Sequence, residues 1–241
     1  MKGVSTVIEW HDEQASPRDR KAALGQVLRH RILTMKLAPG STLDELALTE
    51  EFGLSRPPVR ELMHQMSAEG YIELQANRAP RVASMDYKRL RDYFLAAPLV
   101  FISTVKLAAE HATRAGVEHL KAIHEQFRTA VNDKNADDSL LRNVEFLSSI
   151  GEMAQNPYLA PSLRRLLIDH ARLGRAFFRP RNEQMVRNLS EAVQRHEAII
   201  EAIEQRDSER ASEAVNELLQ TSRQHLASYV APEGISVPLE F

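Results

Sequence analysis

The sequence predicts a mostly α-helical chain: an N-terminal winged helix-turn-helix with a small β-hairpin wing, then a C-terminal antiparallel α-helical bundle. Three observations predict it. Residues 43–66 read as two short helices about a glycine turn, the second carrying an arginine stripe. The one convincing apolar–polar alternation follows directly, at residues 72–76. From about Tyr87 to Tyr229 the periodicity is helical, with short breaks.

Residues 1–18 are polar and aperiodic, with Trp10 the hydrophobic outlier, and are expected to form a flexible tail. A helix is expected over residues 20–35, with Ala23, Val27, Leu28, Ile32 and Leu33 as its apolar set. Leu37-Ala38-Pro39-Gly40 ends it. Thr42 is expected to cap the next helix, whose first turn carries Asp44 and Glu45. Leu43, Leu46 and Phe52 are its candidate packing residues. Gly53 supplies the turn, because glycine takes left-handed backbone freely. Ser55 is a second N-cap, and Pro57 and Pro58 sit in the first turn, where a missing N–H costs nothing. Beyond them Val59, Leu62, Met63 and Met66 recur on an inward face, whereas Arg56, Arg60 and His64 lie four apart on another. Gly70 ends this helix. Residues 72–76 and 81–83 then form a hairpin whose tip is Asn77-Arg78-Ala79-Pro80. A basic hairpin after an arginine-bearing helix suits contact with duplex DNA: Arg78 would reach a phosphate or the minor groove.

Six helices are expected after Ser84-Met85-Asp86, over residues 87–113, 117–131, 137–154, 159–178, 183–205 and 208–229. Pro98 is expected to kink or divide the first. Arg172, Arg175 and Arg179 read as a basic stripe on the fourth, more consistent with a solvated or interface face than with a site. Residues 231–241, with two prolines and a glycine, are expected to form a second flexible tail. The expected domains are thus residues 19–85 for DNA binding and 86–230 for effector binding and dimerisation.

The pieces Ile32-Leu33, Leu37-Ala38-Pro39-Gly40, Leu43-Asp44-Glu45, Gly53-Leu54-Ser55-Arg56-Pro57-Pro58-Val59-Arg60-Glu61 and Glu69-Gly70 resemble the winged helix of the GntR family of bacterial transcription regulators. The C-terminal half resembles the six-helix effector domain (FCD type) of the FadR branch. The carrying pieces there are Leu107-Ala108-Ala109-Glu110-His111-Ala112-Thr113, Asn143-Val144-Glu145-Phe146, Asn156-Pro157-Tyr158-Leu159 and His196-Glu197-Ala198-Ile199-Ile200-Glu201-Ala202-Ile203 with Asp207. The resemblance implies that Arg56 and Arg60 contact operator DNA, and Ser55, Pro57, His64, Asn77 and Arg78 complete the expected interface. Two departures bear on the operator. Leu46 stands where one type of relative has a further DNA-contacting arginine, and Asn77 falls near a common wing glycine.

The same resemblance implies a divalent metal held by one Asp and three His in the bundle. Three of those positions are Asn143, Leu147 and Leu218 here, and only His196 remains, so no metal and no cofactor is expected. His170 and His225 have no spacing that supports them as substitutes. Three readings of the bundle stay open. A metal-free pocket binds an organic acid or a hydrophobic metabolite, with Asn143, Phe146 and His196 at the effector site. Alternatively, side chains fill the interior and the domain only dimerises, or an anion binds elsewhere, for example along the arginine stripe. His196 as an ordinary core histidine is as plausible as a ligand contact.

Composition fits these expectations. The 241-residue chain is 43% hydrophobic, has no cysteine and carries a net charge of −2. From residue 21 to 85 eight Lys/Arg face seven Asp/Glu, so any attraction to phosphate must come from the local cluster at Arg56, Arg60, Arg78 and Arg81. Such a face predicts moderate affinity per monomer, hence a homodimer. The absent thiols exclude disulfides and thiol catalysis and suit a reducing cytoplasm. No Gly-rich phosphate loop, HExxH helix or nucleophile elbow appears, so no catalytic residue is assigned and an all-α enzyme is the unfavoured alternative. A module that interacts without touching DNA is the remaining class. No apolar run is expected to span a bilayer, and the N-terminus lacks the apolar region of a secretory signal.

Overall fold

A computed structural model describes the backbone of residues 16–230 and side chains as far as residue 220. The expected tails, with Trp10, and the His225 side chain lie outside the described residues, apart from residues 16–18. There Ser16 caps a helix that opens at Pro17. The chain divides into two compact units, residues 1–85 and 86–241.

In the first unit α1 (Pro17–Leu33), α2 (Glu45–Phe52) and α3 (Arg56–Glu69) precede a hairpin of β1 (Ile72–Glu73) and β2 (Arg81–Val82). The hairpin is antiparallel, with Ile72 opposite Val82 and Glu73 opposite Arg81. The inward faces of the three helices meet around Leu24, Leu28, Ile32, Phe52, Val59 and Met66, and Ile72 and Val82 close that core from the hairpin side. Two ion-paired contacts brace it at the rim: Arg29 grips Glu69 with Nη2–Oε2 at 2.8 Å, and Arg31 reaches Glu51 at 2.6 Å.

Two local expectations change here. Asp44, not Thr42, caps α2, its Oδ1 accepting the N–H groups of Leu46 and Ala47 at 2.9 and 3.1 Å. Thr42 instead bridges Arg81 and extends the hairpin, with Val82 N donating to Ser41 O and Leu43 N to Pro80 O. A carboxylate two residues nearer the helix satisfies two orphan N–H groups, and the backbone of Thr42 is already committed to the sheet. Leu46 does not pack inward. It is 52% exposed, and Leu48 takes its place in the core. Once Asp44 sets the helix start, the 3.6-residue repeat turns Leu46 outward and Leu48 inward.

The second unit contains α4 (Tyr87–Glu110), α5 (Arg114–Asn132), α6 (Ala136–Met153), α7 (Leu159–Gly174), α8 (Glu183–Glu204) and α9 (Ser208–Val230). Asp86, Thr113, Asn135 and Asn182 each accept a backbone N–H from the first turn of the helix they open. Phe101, Val105, Leu120, Phe127, Phe146 and Ile199 lie at the centre, and α4 packs against α6, α7, α8 and α9. Pro98 sits inside α4 without dividing it, since the flanking helices hold both halves in register. Contrary to the expectation from sequence, α4 is long and apolar enough to cross a membrane by length and composition alone. Its buried positions, Tyr93, Ala97, Phe101, Thr104 and Val105 among them, are those of a bundle core helix.

Candidate functional site

α3 presents two chemically distinct faces. Val59, Leu62, Met63 and Met66 are buried, whereas Arg56, Arg60 and His64 are exposed along the opposite stripe. Ser55 occupies the N-cap position but its hydroxyl makes no capping bond, since Pro57 and Pro58 fill the second and third helical positions and have no N–H to offer; Ser55 is exposed beside Arg56 and Pro57. Asn77 turns the wing tip with φ 59°, and exposed Arg78 donates to Gln75 Oε1 at 2.9 Å. Arg56 and Arg78 share an open groove of about 410 Å³ with Asp44, Glu45, Leu46 and Pro80. The start of α3 and the wing therefore form one continuous surface. Sequence reasoning passed over one partner on it: Arg60 Nε donates to Glu45 Oε2 at 3.1 Å, from the first turn of α2.

In the bundle the three residues read as an effector site converge. Phe146 stacks on His196 with centroids 3.9 Å apart and rings 6° from parallel, and Asn143 Oδ1 lies 3.1 Å from His196 Nε2. His196 and Phe146 are fully buried, and Asn143 is buried beside them. His170, set aside on spacing, belongs with them. Its Nε2 is 3.2 Å from Asn143 Nδ2, and its Nδ1 is 3.0 Å from the Tyr93 hydroxyl. Partners on four different helices leave no short-range spacing to find.

Burial lowers the pKa of His170 to about 4 and that of His196 to about 3, the latter helped by His124 and His170 nearby. Both rings are thus neutral at pH 7. With the Asn143 amide oriented by this network, its Nδ2–H donates to His170 and its Oδ1 accepts from His196 Nε2–H. His196 Nδ1 is then a bare acceptor. It and His124 Nδ1 are buried with no hydrogen-bond partner among the described residues.

The expected arginine stripe of α7 does not hold together. The Arg172 side chain is fully buried and paired with Asp169 at 2.9 Å, whereas Arg179 is exposed and pairs with Asp137 at 2.8 Å. Burial raises the pKa of Asp169, with Arg172 and Arg89 opposing that rise.

Residues 20–82 match bacterial regulatory proteins of the gntR family, and residues 102–221 match the FCD domain. The chain belongs to the GntR family. It is similar to the transcriptional repressor RspR of Escherichia coli, 26% identical over 113 residues covering 47% of this chain, and spans half of RspR's length. The match to the repressor GlaR of E. coli is 28% over 198 residues, 80% of this chain and 90% of GlaR. The gluconate operon repressor of Bacillus subtilis matches at 25% over 183 residues, 75% of this chain and 74% of that protein. Among solved structures, E. coli McbR/YncC has the same fold, with a TM-score of 0.75 at 18% identity over 88% of this chain and 99% of that one. GntR proteins are regulators, not enzymes.

The metal that the FCD resemblance implies does not fit this FCD domain. Leu147 and Leu218 are buried where ligands would stand, and His196 Nε2–H is taken by the Asn143 amide. Among the described residues no group of three His, Asp or Glu side chains is placed to hold a metal ion. His170 and His124 lie near His196, but the Nε2 atoms of His170 and His196 are both turned to the Asn143 amide, so these rings do not converge as the donor set that a divalent cation requires.

Proposed function

We propose that this GntR protein is a dimeric, effector-responsive transcription regulator that binds operator DNA through α3 and the wing. The observation that carries this reading is the shared surface of Ser55, Arg56, Pro57, Arg60, His64, Asn77 and Arg78, on which the basic groups of two elements project together. The Arg56 end of α3 enters a major groove, the Ser55 hydroxyl and the Arg56 N–H hold a phosphate, and Arg78 follows the backbone or the minor groove. Leu95 and Leu99, 46% and 72% exposed and one turn apart on α4, support pairing of two copies through the helical unit. Such pairing sets the spacing of two half-sites and gives a short palindrome. A regulator that binds operator DNA in this way would work in the bacterial cytoplasm. Selection from a random duplex pool tests this: a two-fold-symmetric sequence should be enriched, and a pool that emerges unenriched contradicts it.

For the effector, the bare acceptor at His196 Nδ1 is the supporting observation, because an unmet polar atom buried in a protein costs roughly 1–3 kcal/mol. A lone pair there repels a carboxylate and welcomes a donor. Phe127, Phe146 and Phe178 make the surroundings apolar and aromatic. Of the two effector classes expected, a hydrophobic metabolite carrying an N–H or O–H group fits better than an organic acid. A ligand selective for the folded state raises the unfolding midpoint by mass action. Neutral aromatic donors should do so and simple carboxylates should not; a rise with carboxylates alone sinks the assignment. The mutual packing of Asn143, Phe146 and His196 favours the second reading, a filled bundle that only dimerises, and no response to any compound would support it.

A further inference from the structure

Of the arginines placed on the reading surface, Arg60 alone is held by a carboxylate among the described residues. Arg78 leans on the neutral amide of Gln75, and no ion pair holds Arg56. The Arg60 side chain is 60% exposed and Glu45 is 27% exposed, so the pair stands at the surface yet joins α2 to α3. A carboxylate facing DNA opposes phosphate contact, and on a surface so short of net positive charge its presence calls for a compensating role.

The geometry supplies one. An arginine carries five N–H donors in a fixed plane. Glu45 engages the donor at Nε, which leaves the Nη1 and Nη2 groups as an outward fork. Two parallel N–H groups of such a fork match O6 and N7 of guanine in the major groove. An unheld arginine has rotamer freedom to lose on binding and finds a phosphate as readily as a base; a held one has already lost it. The Glu45 charge also weakens contact with arbitrary sequence, which raises discrimination without adding a contact to the correct one.

Resting on the DNA-binding reading above, we propose that Glu45 is a positioning residue that aims Arg60 at a guanine in each half-site and lowers its attraction to phosphate. Its effect is on specificity more than on affinity.

The test compares Glu45→Gln and Glu45→Asp with Arg60→Ala and the parent, on the duplex the parent enriches from a random pool, its single-base variants and a scrambled duplex. Both Glu45 variants should bind the enriched duplex about 10-fold more weakly, the scale of one bidentate base contact. They should bind the scrambled duplex as tightly as the parent or tighter. The preference for guanine should vanish at one position per half-site, the same position at which Arg60→Ala loses it. Glu45→Asp discriminates the roles: it keeps a negative charge at the N-terminus of α2 but falls short of Arg60. If Glu45 merely supports the helix dipole, aspartate restores full specificity. Restoration, or a loss shared equally by enriched and scrambled duplexes, overturns the proposal. If the parent enriches nothing and Arg60→Ala binds DNA as the parent does, it is the DNA-binding reading that fails. If Arg60→Ala loses a base preference that the Glu45 variants keep, the role of Glu45 alone is wrong.

Discussion

His196 and His170 are neutral in the folded bundle because burial penalises their charged forms, and this links stability to pH. Their folded pKa values, about 3 and about 4, lie below the ordinary 6.5. As pH falls below 6.5 the unfolded chain takes up protons before the folded one does. The stability these rings contribute is therefore complete above about 6.5 and is lost as pH drops toward 4 and 3. Asp169, its pKa raised, works in the opposite direction. Unfolding midpoints at pH 7.5 and 5.0 should show a loss at the lower pH, and His196→Phe should reduce that loss; an unchanged midpoint in the parent contradicts the buried neutral network. At the surface, Arg60→Ala should cost about 1–3 kcal/mol of binding to the enriched duplex if it reads a base. A fall that is equal on every sequence would make it a phosphate contact. Individual residues were legible where one helix sets their face, as with Arg56, Arg60 and His64. They were illegible where the partner comes from elsewhere: His170 meets Asn143 and Tyr93, and Glu45 meets Arg60, only after the helices pack.

Gly53 shows how one element depends on a single backbone state. It closes α2 at φ 58°, in the left-handed region, and an added Cβ there would meet Arg20 Nη1 at 2.6 Å. Gly53→Ala should destabilise the first unit by about 1 kcal/mol or more, read as a lower denaturant midpoint at unchanged slope. No loss would mean that the turn tolerates a side chain. Periodicity and punctuation located the elements well. α3 begins after Ser55 and ends at Gly70, and the six bundle helices fall near their expected spans. What failed were features decided by competition between neighbours. Asp44 displaced Thr42 as the cap because the Thr42 backbone belongs to the sheet, and that two-residue shift turned Leu46 out to the groove. The strands are two residues each, shorter than the alternation implied, because left-handed Asn77 and the turn from Gln75 to Arg78 end the pairing.

At the scale of the whole molecule, the proposed dimer would gain its affinity for a site by pairing two modest surfaces. The first unit has little net positive charge with which to bind alone, and in the proposed dimer a second copy would turn the second contact into an intramolecular one. Leu99→Glu, at the most exposed apolar position of α4, should shift the protein toward monomer in light scattering and weaken palindrome binding more than half-site binding. A dimer that survives this change pairs through another face. The measurement that bears most directly on the proposed function is duplex binding by the parent and by an Arg56→Ala/Arg60→Ala/Arg78→Ala variant between 50 and 200 mM salt, concentrations over which phosphate contacts lose strength steeply. The parent should bind with log K falling linearly against log salt, and the variant should bind more weakly with a shallower slope. Equal affinities and equal slopes would show that the arginine surface of α3 and the wing is not where DNA binds.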